Sequence, residues 1–164
     1  MPTLTSLFAY KTWANAELFE SLAKVDAAAH LSELHAATRI MNHIFVVDSI
    51  FKGHLQGQSH GYTDTNTPDT PPLADLALRA KAVDAWFESH VSNLAPDRLK
   101  DDVVFTFTDG DVGRMTQEQI LLHVIAHGTY HRGAVGQVMR ATNVPPPRDL
   151  LTRFLRLERA KAAR

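Results

Sequence analysis

The stretch "HVIAHGTYHRGAVGQVMR", residues 123–140, repeats histidine at four-residue spacing and then runs on with Val135 and Val138. Taking His127 as zero at about 100° per residue, Ile120, Leu121, Val124, Val135 and Val138 lie between about 20° and 120°. That is one helical stripe. Thr116, three residues before Gln119, supplies a capping box, so this helix is predicted to start just after Thr116 and end near Arg140, where "VPPPRD" stops it.

Working outward, helical spacing recurs from Thr5 to Lys24 through Leu7, Phe8, Leu18, Phe19 and Leu22. Residues 31–55 contain "RIMNHIFVVDSIF", apolar almost all round, as expected of a helix covered on several sides. Residues 73–94 return to the pattern through Leu76, Ala80, Val83 and Phe87. Between the second and third helices, "GQSHGYTDTNTPDTPP" (57–72) reads as an irregular connection, long enough that it should pack over something. Ahead of the fourth helix, "VVFTFTDGDVGRMT" alternates with period two around Asp109-Gly110, which predicts a small hairpin. "DLLTRFLRLERAKAAR" forms a short amphipathic C-terminal helix. The expected fold is all-α, a four-helix bundle in one domain spanning 1–164.

Composition excludes several functions. The chain has 164 residues, 45% of them hydrophobic, with seventeen basic against eighteen acidic side chains. A balance so close to neutral gives no field for nucleic acid. No stretch approaches the length of a membrane span and the N-terminus lacks a signal pattern, so a cytoplasmic protein is expected. With no cysteine, there is no thiolate ligand or cysteine nucleophile, and any sulfur chemistry must use a thiol from outside. "GQSHG" matches Gly-x-Ser-x-Gly, but a helix precedes it and a loop follows, the wrong context for a nucleophile elbow. Neither Glu-x-x-His nor His-Glu-x-x-His occurs, which argues against a di-iron bundle and an ordinary zinc peptidase.

Histidine is the unusual entry, nine in all. Side chains four apart on a helix sit roughly 5–6 Å apart at Cβ and can share an ion. His123 and His131, about 12 Å apart along the axis, cannot both join His127. On the wheel His131 lies at about 40°, facing inward with His127, and His123 at about −40°, at the edge of the stripe. His123 supports the site or packs beside it. The third ligand is expected from another helix. His43, amid Ile40, Ile44, Val46 and Val47, needs a partner if buried, since an unpaired polar group there costs about 1–3 kcal/mol. Three neutral ligands leave an open position, as in a catalytic site. His30, His35, His60 and His90 are expected to be solvated, and His54, three turns beyond His43, could line a cavity.

On the first helix, Lys11 and Asn15 fall within the apolar stripe. They either reach water at the bundle end or line a pocket beside the metal. Trp13 points the other way, to intramolecular packing or a subunit contact. Arg132 either steers an acidic group of a ligand or pairs with a carboxylate.

"LFAYKTWANAEL", "MNHIFVVDSIF", the Asp-Gly hairpin and "HVIAHGTYHRGAVGQVMR" together resemble the DinB/YfiT-like superfamily, in order through nearly the whole chain. The resemblance implies an up-down-down-up bundle, commonly a homodimer. It implies a site of His43, His127 and His131 for zinc, nickel or a similar divalent ion. It also implies, as relatives do, a thiol-dependent transferase or isomerase acting on a small molecule, with a low-molecular-weight thiol as cosubstrate. A metal-dependent hydrolase and a non-catalytic, stress-related metal-binding protein are the alternatives. Ala134 stands where the family's common ending has Gln after His-Arg-Gly, and Gln137 comes later.

Overall fold

A computed structural model describes residues 3–163. Four long helices, α1 (Thr3–Leu22), α2 (Leu31–Gln56), α3 (Leu73–Asn93) and α4 (Gln117–Met139), form the bundle. A short 3-10 turn (Pro96–Lys100) and an antiparallel hairpin, β1 (Asp102–Thr106) with β2 (Val112–Thr116), precede α4. The C-terminal helix α5 (Leu151–Ala162) follows.

The contacts fix the direction of each helix. Phe8 stacks on Phe87 while Asn15 bonds Asp84, so α1 runs antiparallel to α3. His43 meets His131 and Phe51 meets His123, so α2 and α4 are antiparallel. Arg79 lies over Phe45 and Lys52 over Trp86, so α2 and α3 are parallel. The bundle is therefore up-down-down-up. Its packed neighbours are α1 with α3 and α4, and α2 with α3 and α4.

Parallel α2 and α3 cannot be joined by a tight turn, which is why the 57–72 segment is long. Gly57, in the left-handed region at φ 64°, ends α2 by donating its N–H to the carbonyls of Gly53 and His54. The segment then runs back along α2. Asn42 Nδ2 donates to Thr67 Oγ1 at 2.6 Å, and Asn66 Nδ2 to the Arg39 carbonyl at 3.2 Å. The hairpin register pairs Phe105 with Gly113 and Thr106 with Val112. Its turn uses Gly110 at φ 96°. The predicted capping box is present: Gln119 N–H donates to Thr116 Oγ1 at 3.2 Å and Thr116 N–H to Gln119 Oε1 at 2.8 Å.

The core runs through all four helices and holds Phe8, Leu22, Met41, Ile44, Leu76, Phe87, Ile120, Leu121 and Val124. A second, smaller cluster joins Tyr10, Ala14 and Phe154, with Trp13 and Leu151 against it. Trp13 is thus a packing residue under α5, capped further by the Arg153 guanidinium 4.8 Å from its ring. No helix among the described residues is long and apolar enough to cross a membrane.

Candidate metal centre

The structure brings His43 of α2 together with His127 and His131 of α4. One ring nitrogen from each lies within 4.8 Å of the others, and each ring is half-buried. The His43 and His127 Nε2 atoms face each other at 3.0 Å. His43 Nδ1 lies 2.7 Å from the Thr65 carbonyl. A carbonyl only accepts, so His43 carries its proton on Nδ1 and turns the Nε2 lone pair toward His127, the arrangement that orients a ligating histidine. The loop predicted to pack over something delivers that carbonyl.

His127 Nδ1 is buried with no partner, so packing between the His123 and His131 rings orients it instead. Burial, then the nearby His131 and His43, push its pKa down to about 3. Burial and His43 lower His131 as well. The two α4 rings, His127 and His131, are therefore biased to the neutral state, whose free lone pair a cation requires. Nitrogen ligands about 2.0–2.1 Å from a tetrahedral ion stand roughly 3.4 Å apart, so the 3.0 Å pair is close to that separation. The donor set fits a divalent ion of the zinc type.

The buried residues of α4 shift its inner face from the one the apolar stripe alone defines. Gly128 and Arg132 are buried with Ile120, Leu121, Val124, Val135 and Met139, which centres the face near 90° on the wheel. His127 and His131 stand at its edge rather than in its middle. That position lets them reach both His43 and solvent. A cavity of about 290 Å³ opens there, lined in part by His43, His127 and His123. His123 is exposed, with its ring against Phe51 and His127.

Lys11 and Asn15 neither reach water nor line that cavity. Lys11 is 1% exposed and its ammonium lies 2.6 Å from both Asp48 and Asp84. Asn15 Nδ2 donates to Asp84 Oδ2 at 2.8 Å. Two carboxylates projecting inward from α2 and α3 explain why a lysine can sit in an apolar stripe. Arg132 is likewise committed: Nε donates to Asp149 at 2.7 Å and Nη1 to Asn15 Oδ1 at 3.4 Å. Tyr10 donates to the same Asp149, and burial followed by that bond pushes its pKa up to about 12. One polar chain therefore crosses the bundle behind the histidines.

Of the four histidines expected to be solvated, His30, His60 and His90 are half-buried and His35 is exposed. His90 stacks on Trp86 and its Nε2 has no partner. His60 packs edge-on to His54 and accepts from the Tyr62 N–H through Nδ1, because the 57–62 turn folds it back over Gly53, whose hydrogen leaves just the room its Cβ needs. His54 lies stacked on Phe105, away from the three-histidine cluster. The polar residues that sequence reasoning missed are Asp48, Asp84 and Asp149. Asp48 alone carried a signal, as the one charge inside "IFVVDSIF".

A sequence model of the DinB family matches residues 1–162. The chain is also similar to the protein described as Protein DinB of Bacillus subtilis (strain 168), 22% identical over 148 residues, covering 82% of this chain and 83% of that protein.

Proposed function

The chain belongs to the DinB family, and we propose that it is a divalent-metal-dependent transferase of low-molecular-weight thiols. The observation that carries the metal half of this reading is the convergence of His43, His127 and His131 with two Nε2 atoms 3.0 Å apart. The thiol half rests on the family resemblance and on a chain without cysteine.

In this reading the three histidines hold zinc or nickel through neutral nitrogens. When bound, the cation keeps a thiol cosubstrate deprotonated near neutral pH. The protein's own residues do the rest. The Thr65 carbonyl keeps the His43 ring turned toward the cluster. Val47, Ile50 and Phe51 exclude water from one side of the cavity, which sharpens a sulfur nucleophile by removing its hydration. In the overall reaction sulfur forms a bond to an electrophilic carbon of the second substrate. That carbon's bond to its leaving group breaks, the electron pair departs with the leaving group, and the thiol proton passes to solvent.

Metal analysis of untagged protein, wild type against His127→Ala, tests the site. The expected result is about one divalent ion per wild-type chain and at least a ten-fold lower content in the variant; equal contents would refute it. Cobalt-substituted protein titrated with 2-mercaptoethanol, cysteine and glutathione tests the thiol. A sulfur-to-cobalt charge-transfer band supports the transferase. Its absence with every thiol would instead favour a hydrolase using bound water, or a binding protein.

A further inference from the structure

The β1–β2 hairpin has no part in ligating the histidine cluster, yet it builds one wall of the cavity beside it. Phe107, Thr108 and Met115 line it together with Val47, Ile50 and Phe51 of α2, Thr65 of the connecting segment, and His43, His127 and His123. No lysine, arginine, aspartate or glutamate lines this space. Neighbouring cations are otherwise engaged: Lys52, next to Phe51, lies over the Trp86 ring, Arg114, next to Met115, pairs with Asp102, Lys11 is held by two carboxylates and Arg132 by Asp149.

The aromatic rings form a continuous series. Phe107 lies edge-on to Phe105 at 4.9 Å, Phe105 edge-on to Phe51 at 5.8 Å, and Phe51 against His123 at 4.9 Å. Gly113 is what lets the hairpin rings lie there. A Cβ at that position would come within 2.7 Å of Phe105 and 2.8 Å of Phe107. Both rings would have to shift, Phe105 although it is buried and stacked on His54, and the more exposed Phe107 more easily.

Resting on the transferase reading for its chemistry, we propose that this cavity selects an uncharged aromatic or alkyl electrophile, with Phe107 and Met115 of the hairpin as the residues that set its size and polarity. An ionised group on the body of the substrate, away from the histidine cluster, would face this lining with no lysine, arginine, aspartate or glutamate to pair its charge, which is costly. The volume sets the scale. An apolar cavity of about 150 Å³ takes benzene. The roughly 290 Å³ here therefore suits a two-ring body or an alkyl chain of similar bulk.

Metal-free protein at pH 8, probed with 2-naphthalenemethanol and 2-naphthoate by amide chemical-shift titration, separates this inference from the reading beneath it. The alcohol is expected to shift amides of residues 47–51 and 105–115 and to bind at least ten-fold more tightly than the carboxylate. Gly113→Ala, which displaces both hairpin rings, and Phe107→Ala, at a position exposed enough to be tolerated, are each expected to weaken the alcohol at least three-fold while the amide spectrum away from the hairpin is retained. Equal binding of the two probes, shifts elsewhere, or variants that bind as wild type would overturn the assignment. Failure of the cobalt–thiol experiment with these shifts intact would remove the transferase reading and leave the apolar cavity standing.

Discussion

Replacing Lys11 by methionine keeps most of the side chain's bulk and removes its charge, which isolates what the buried ammonium does. Asp48 and Asp84 are each 2.6 Å from that nitrogen, hence at most 5.2 Å from each other, and both side chains are 4% exposed. Without Lys11, two carboxylates face one another out of water. Breaking a buried pair in this way costs about 3–5 kcal/mol, against a total stability of roughly 5–15 kcal/mol for a domain. At about 2–4 °C per kcal/mol for a chain of this size, the melting temperature should fall by about 6–20 °C at pH 7. The pH dependence has a definite sign. Burial raises the Asp48 carboxyl to about 6 even beside Lys11, and losing the lysine raises it further. A carboxyl whose folded pKa is raised binds more protons folded than unfolded, so its contribution improves as pH falls through that pKa. The variant begins this recovery at higher pH than wild type. The gap should therefore narrow by roughly 1–2 kcal/mol between pH 7 and pH 5, at about 1.4 kcal/mol per unit for one proton. Urea unfolding followed by far-ultraviolet circular dichroism at both pH values measures it. A variant within 1 kcal/mol of wild type at pH 7, or a gap that does not change with pH, would refute the reasoning.

Gly128→Ala places a Cβ 3.3 Å from Arg132 Nη1 and 3.5 Å from Lys11 Cε, both pinned by ion pairs, so a loss of about 1–3 kcal/mol is expected. Gly133→Ala on the same helix meets nothing within 4 Å and should raise stability by about 0.5–1 kcal/mol; a shared sign in urea unfolding would show that packing is not the cause. Asp149→Asn leaves the 1%-exposed Arg132 side chain without its anion, and should cost about 3–5 kcal/mol and make the α5 segment more sensitive to limited proteolysis. Thr116→Ala removes the acceptor for Gln119 N–H, worth about 1 kcal/mol at a helix N-terminus by thermal denaturation.

What the sequence made legible follows from how local each feature is. Helix limits rested on caps, glycines and prolines within a few residues, and Leu31, Leu73 and the Thr116 cap stand where they were expected. The grouping of His43 with His127 and His131 was readable because four-residue spacing and an apolar surround both point inward. The roles of Lys11, Asn15 and Arg132 were not. Their partners, Asp48, Asp84 and Asp149, lie 17 to 73 residues away in the chain, and no periodicity announces a long-range ion pair. The short 3-10 turn at Pro96–Lys100 was missed for another reason, since five residues carry too few turns to show a period. The hairpin was legible from its alternation and its Asp-Gly turn, but its position as a cavity wall depends on where α4 sends it.

Buried charge and candidate site are connected through helix register. His43 and Asp48 sit five residues apart on α2, one ring turned to α4 and one carboxylate to the bundle centre. The 3.0 Å approach of His43 to His127 exists in a single register of α2 against α4, since a slip of one turn would move either ring by about 5.4 Å. Apolar side chains tolerate such slips, because many packings of Leu, Ile and Val differ little in energy. Lys11 between Asp48 and Asp84, and Arg132 between Asn15 and Asp149, tolerate none: a slipped register leaves a charge unpaired in the core. The polar chain behind the histidines is thus what holds α2 and α4 at the one offset where their nitrogens converge. On this argument Lys11→Met, assayed where it remains folded, should also lose cobalt affinity although Lys11 touches no ligand. Unchanged affinity in the folded variant would mean that apolar packing alone sets the register.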